Sequence, residues 1–137
     1  MRQILALCLV LCLFVPAAGA EEAERAQAIR SVISAQIEAF KRDDGAVAFS
    51  YASPDIQVKF RDPKAFMSMV ATAYPQVHRP QSIEFGELVG SDAVYVQKVL
   101  LRGPKGKLVL ALYEMVLIDE RWWINGCTLA AVPGKEI

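Results

Sequence analysis

The stretch that decides the fold runs from Ala93 to Ala131: AVYVQKVLLRGPKGKLVLALYEMVLIDERWWINGCTLAA. Apolar residues crowd it, and the turn signals Gly103-Pro104-Lys105-Gly106 and Asp119-Glu120 cut it into three pieces. The pieces are strand-length and rich in Val, Ile, Tyr and Trp, so the reading is three strands, Ala93–Arg102, Lys107–Asp119 and Arg121–Ala131. A further strand precedes them at Ser82–Val89, joined through Gly90-Ser91-Asp92. Every connection is short, which predicts an antiparallel meander.

A register pairing Arg102 with Lys107 and Ile118 with Arg121 sorts the side chains into two faces. The first face holds Val94, Val96, Lys98 and Leu100, then Val109, Ala111, Tyr113, Met115 and Leu117, then Trp122, Ile124, Gly126 and Thr128. The second holds Tyr95, Gln97, Val99 and Leu101, then Leu108, Leu110, Leu112, Glu114, Val116 and Ile118, then Trp123, Asn125, Cys127 and Leu129. Both faces are largely apolar, whereas a sheet with one wet face alternates cleanly. Something must cover the second face.

Upstream the period lengthens to three and four. Ile29, Ile33, Gln36, Ile37 and Phe40 form the stripe of a helix over Glu21–Arg42, ended by Asp43-Asp44-Gly45. A shorter helix is expected over Gly45–Ala52, stopped by Ser53-Pro54. Asp62-Pro63 is a cap followed by proline at the first helical position, opening a third helix with the stripe Phe66, Met69, Val70 and Ala73, which Pro75 ends. Helices first and strands after is an α+β order, with the helices packed on one face of a four-stranded antiparallel sheet.

The first residues read as an address. Arg2 precedes the unbroken apolar run Ile4–Val15, and Ala17-Ala18-Gly19-Ala20 supplies small residues for cleavage after Ala20. Twelve helical residues span roughly 18 Å, short of a ~30 Å hydrocarbon core, so a cleaved signal peptide is expected rather than a membrane anchor. Cys8 and Cys12 leave with it, since neither follows the small residue that lipidation requires. The remainder, residues 21–137, is expected to be one exported domain, periplasmic or secreted, with Cys127 as a core thiol. Net charge is zero over 137 residues, which leaves no electrostatic footprint for nucleic acid.

A long helix ending in Asp43-Asp44 precedes a short one ending in Ala52-Ser53-Pro54, then a Phe-bearing helix and four strands with Trp122-Trp123-Ile124 near the end. This arrangement resembles the nuclear-transport-factor-two-like (cystatin-like) superfamily. Gln36, Ala39, Phe40, Asp44, Tyr51, Ala52, Pro54 and Asn125-Gly126-Cys127 resemble a family of small exported bacterial proteins of unknown function. The resemblance implies a strongly curved sheet wrapped around helices, leaving a cone-shaped cavity. It implies no chemistry, because that superfamily includes isomerases, dehydratases, hydrolases, transport factors and dimerisation modules.

Two functions are therefore expected from the residues themselves. The first is a non-catalytic binding module for a small, mostly apolar ligand held by Gln36, Phe40, Phe49, Phe66, Lys98, Tyr113, Met115, Trp122 and Thr128. The alternative is an isomerase- or dehydratase-like enzyme using Lys98 with Tyr113, or Tyr95 with Glu114; a carboxylate pair on the first face is missing. Gln36, facing the core, either bonds sheet groups or lines the cavity. His78, without a second His or Cys at ligand spacing, reads as an exposed loop residue, and neither metal nor cofactor is expected. The second sheet face predicts a homodimer, with Leu110, Leu112 and Trp123 as its apolar contacts and Tyr95, Glu114 and Asn125 as its polar row.

Overall fold

The structure is a computed structural model that describes residues 17–134. The charge and apolar run of the expected leader, with Cys8 and Cys12, lie outside the described residues. None of the described helices is long and apolar enough to cross a membrane.

Among the described residues, five helices precede four strands. They are α1 (Ala17–Lys41), α2 (Gly45–Ser50), α3 (Pro54–Phe60), α4 (Pro63–Ala73) and α5 (Pro75–His78), then β1 (Ser82–Ser91), β2 (Val94–Arg102), β3 (Leu108–Ile118) and β4 (Arg121–Ala130). The strands form one antiparallel sheet in the order β1-β2-β3-β4. The α+β expectation stands: the N-terminal helix packs against the four-stranded sheet.

Helix α1 buries Ile29, Ile33, Gln36, Ile37, Ala39 and Phe40, the stripe its spacing predicts. Its end is set by Asp43 at φ 56°, and Asp44 caps α2 by accepting from the Val47 amide at 3.2 Å. Asp62 caps α4 through the Ala65 amide at 2.8 Å. Two helices escaped the pattern. Pro54 and Pro75 do end what precedes them, but each is also the first residue of a new short helix, α3 and α5. Ser53 caps α3, accepting from the Ile56 amide at 3.3 Å.

The sheet corrects the expected faces in two places. Asp119 and Glu120 both adopt positive φ, as a two-residue hairpin turn demands, and Ile118 pairs with Arg121 as expected. The β2–β3 connection is one residue longer than read. Arg102 pairs with Leu108, and the loop closes through Gly103 N–H to Lys107 O at 2.8 Å, with Gly106 at φ 86°. That slip turns all of β2 over. Tyr95, Gln97, Val99 and Leu101 lie beside Met115, Tyr113, Ala111 and Val109 on the inner face, whereas Val94, Val96, Lys98 and Leu100 point outward. A bulge in β4 then adds Asn125 between the pairs Met115–Ile124 and Glu114–Gly126. Beyond it Cys127 faces inward opposite Tyr113, Leu129 faces inward opposite Ala111, and Thr128 is exposed on the outer face opposite Leu112.

Candidate functional site

The helices and the inner sheet face do not fill the space between them. A cavity of about 530 Å³ remains, walled by Gln36 and Phe40 of α1, Phe66 and Val70 of α4, and Tyr113, Ile124 and Cys127 of the sheet. Helix α3 forms another wall with Ile56, Lys59 and Phe60. The volume falls in the range of small-ligand pockets, and the lining is predominantly apolar.

Why the cavity stays open can be read from what holds its walls. Phe66 is the hub of an aromatic cluster, with ring centroids 6.0 Å from Phe40, 5.3 Å from Phe49 and 5.7 Å from Phe60. Such pairs are worth roughly 0.5–1.5 kcal/mol each beyond their buried area, so α2, α3 and α4 are bound to α1 around one ring. The opposite wall is pinned to the edge of β4. Ser53 N–H donates to Ile124 O at 2.8 Å, and Ile124 N–H donates to Tyr51 O at 3.0 Å. Ser53 Oγ donates to Asn125 Oδ1 at 2.6 Å, and Asn125 Nδ2 donates to Glu114 Oε1 at 2.7 Å. The bulge thus carries a polar chain from the cavity wall to the outer face of the sheet.

Gln36 is buried and donates through Nε2 to Ala48 O at 3.1 Å, tying α1 to α2 while it lines the cavity. Tyr113 is 1% exposed, and its hydroxyl has no hydrogen-bond partner. Burial raises its pKa well above the usual value, the neighbouring Cys127 adding to the effect. Burial likewise pushes the Cys127 thiol up to about 12. Both groups are therefore protonated at neutral pH: donors, and neither a base nor a ready nucleophile.

The cavity assembles Gln36, Phe40, Phe66 and Tyr113 of the expected ligand set, and Thr128 only borders it, being exposed on the outer face. The others lie elsewhere. Phe49 packs behind Phe66, and Met115 and Trp122 are core residues that do not reach the lining. Lys98 is on the outer face, its Nζ 3.0 Å from Glu87 Oε2. Both expected catalytic pairs are split by the sheet itself. Lys98 lies outside and Tyr113 inside; Glu114 lies outside, whereas Tyr95 packs edge-on against Trp122 at 5.7 Å with the Arg25 guanidinium over its ring. Tyr95 consequently leaves the expected interface row, in which Glu114 and Asn125 remain bonded to each other. The slip in β2 causes all of this.

Sequence reasoning missed the α3 wall because Pro54 reads as a stop, and missed Cys127 and Ile124 as neighbours in the lining because a bulge leaves no periodic mark. His78 is also corrected. It is 16% exposed, lies 6.3 Å from the Phe40 ring and 3.7 Å from Asp43 Oδ1, and is no loop bystander. No cluster of three or more metal-ligating side chains occurs among the described residues.

Comparison with known families adds membership without chemistry. Residues 22–137 match the family described as Domain of unknown function (DUF4864), and the chain belongs to it. No curated protein and no solved structure matches the chain significantly.

Proposed function

We propose that this member of the DUF4864 family is an exported, non-catalytic binding module that holds a small, mostly apolar ligand between its helices and the inner face of its sheet. One observation carries the reading: a cavity of about 530 Å³ whose lining is mainly apolar, with Lys59 its single charged side chain. The cavity opens to solvent, so its apolar walls meet water, and a ligand that covers them gains the free energy of removing that area from water. The order of helices and strands supports kinship with the nuclear-transport-factor-two-like superfamily, and Met1–Ala20 supports export with cleavage after Ala20. The separation of Lys98 from Tyr113, and of Tyr95 from Glu114, speaks against the isomerase or dehydratase alternative.

The test is mass spectrometry of the protein recovered from the exported fraction, native and then denatured. The expected result is a chain beginning at Glu21 that carries a small-molecule mass when native and loses it on denaturation. A chain that carries no adduct and takes up no apolar probe would remove the binding reading.

A second reading concerns the outer face. Val94, Val96, Leu100, Leu108, Leu110, Leu112, Val116, Ile118 and Trp123 lie on that side, and no described helix packs there. A second copy of the chain, sheet against sheet, is the cover proposed for it.

A further inference from the structure

We propose that the cavity takes a single-chain amphiphile with an anionic head group, its chain lying between the helices and the inner sheet face and its head held at the mouth by the Lys59 ammonium. This narrows the ligand class and rests on the binding reading above.

The interior of the cavity holds its polar groups back. Gln36 Nε2 is committed to Ala48 O at 3.1 Å. Asn125 is bonded at both ends of its amide, accepting from Ser53 and donating to Glu114. The Tyr113 hydroxyl is sealed from the cavity, as is Gln97 Oε1 on the residue opposite it in register. Burial keeps the Cys127 thiol protonated, and a thiol is a weak donor. A ligand body lying against Phe40, Phe66, Val70 and Ile124 therefore gains most by being apolar along its length, since a polar group there would lose its water without a partner.

The mouth has a different chemistry. Lys59 and Ala73 are exposed members of the lining, so the opening lies between the ends of α3 and α4; Thr128, also exposed, belongs to the outer sheet face. Lys59 is the single charged side chain of the lining, and its Nζ stands 5.6 Å from the ring centroid of Phe60, itself a wall of the cavity. A lysine so placed lays its stem along the apolar rim and keeps its ammonium in water. Among the described residues no carboxylate lies within ion-pair distance of it, Asp55 one turn earlier on α3 included. The ammonium is therefore available to a head group that stays hydrated at the mouth, which avoids the cost of burying a charge. An anionic head is attracted there and a cationic one repelled.

Three probes with one chain and different heads test this: decanoate, decyl phosphate and decyltrimethylammonium. Each is titrated at low salt, below its micelle threshold, by calorimetry into the whole protein and into Lys59→Gln, Lys59→Glu, Lys105→Gln and Ala73→Trp. Lys105 is exposed on the β2–β3 loop and lines no part of the cavity, so it controls for surface charge in general. Ala73 sits on the cavity lining at the exposed end of α4, where a Trp obstructs entry. An exposed ion pair is weak, about threefold in affinity, so attraction of one head and repulsion of the other should together make the anions bind about tenfold more tightly than the cation. Lys59→Gln should erase that preference, Lys59→Glu should reverse it, and Lys105→Gln should leave it. All three should melt close to the parent, because both lysines are exposed. Ala73→Trp should weaken all three probes. Whichever anion binds more tightly identifies carboxylate or phosphate as the head, and either supports the inference. If the probes bind but the cation matches the anions, or Lys59→Gln shifts the preference no more than Lys105→Gln does, the inference is overturned and the binding reading survives. If the parent takes none of the probes, or Ala73→Trp leaves all binding intact, the binding reading itself falls.

Discussion

At the scale of single residues, the end of α1 is where charge, ring and backbone meet. Arg79 Nη1 donates to Phe40 O at 2.6 Å, and Nη2 donates to Asp43 Oδ1 at 2.8 Å. The first bond gives a second donor to a helix-end carbonyl that already accepts from the Asp43 amide at 3.0 Å, and it places a cation where the helix dipole is negative. His78 lies beside this fork, and its pKa is lowered from 6.5, by burial first and the Arg79 charge second, with Asp43 opposing. The consequence has a definite sign. A folded-state pKa below the unfolded value means that the unfolded chain binds its proton first as pH falls. Stability from the neutral ring is complete above about pH 6.5 and declines below it, toward the lowered folded value. Thermal melting between about pH 7.5 and about pH 5.5 should show a drop that His78→Phe flattens. An equal slope in both proteins would mean that carboxylates elsewhere set the acid limb.

Among the elements, α3 and the β4 bulge form one device. Ser53 caps the helix, is 1% exposed, and donates to the bulge residue Asn125. Ser53→Ala removes the cap and leaves Asn125 Oδ1 without that donor. The expected cost is about 1–2 kcal/mol by urea unfolding. Hydrogen exchange should speed up in residues 54–60 well before the central strands, because α3 holds few contacts of its own. Uniform acceleration across the sheet would contradict that division. The same elements show what the sequence made legible and what it hid. Helices α1 and α4 were readable, since each carries a long stripe and a chemical stop or start in Asp43-Asp44-Gly45 or Asp62-Pro63. The β3–β4 hairpin was readable because two residues between apolar runs leave little choice of turn. The β2–β3 loop was not. Gly103 to Lys107 closes equally well on paper as four residues or five, and that single count decides which face of β2 meets the helices. Burial settles the count: it favours Val99 and Leu101 inside and Lys98 outside with Glu87. The candidate site was half legible for the same reason. Gln36, Phe40, Phe66 and Tyr113 sit on elements whose register was right, and Lys98 on the one that was not.

For the whole molecule, the outer face of the sheet is the remaining question, and the corrected register sharpens it. Tyr95, Gln97, Val99 and Leu101 turn inward with Cys127 and Leu129, and Val94, Val96 and Leu100 turn outward together with Lys98 and Thr128, so the face gains two polar residues yet keeps a broad apolar area. Val94 is 51% exposed and Ile118 40% exposed, and the helices occupy the other side. Contiguous apolar patches beyond ~400 Å² usually mark contacts, and one layer of helices covers only one face of a sheet. Trp123 is the natural anchor. Its ring is half-buried under the Arg121 guanidinium at 3.9 Å, and its Nε1 is buried without a partner. Aromatic side chains of this kind carry a disproportionate share of interface energy. Glu114 stands at mid-length on β3 between Leu112 and Val116, and its bonded partner Asn125 reaches back through Ser53 to the cavity wall. Docking a twin sheet there would therefore stiffen α3 as well as bury the leucines. Sedimentation should show a dimer for the parent chain and a monomer for Trp123→Asp, with unchanged circular dichroism below the concentration at which the variant aggregates. Leu112→Glu, on the neighbouring strand, should do the same, guarding against a local effect of the Trp change. A parent chain that stays monomeric at about 100 μM, a load at which any dimer tighter than about 10 μM would be mostly assembled, ends the dimer reading.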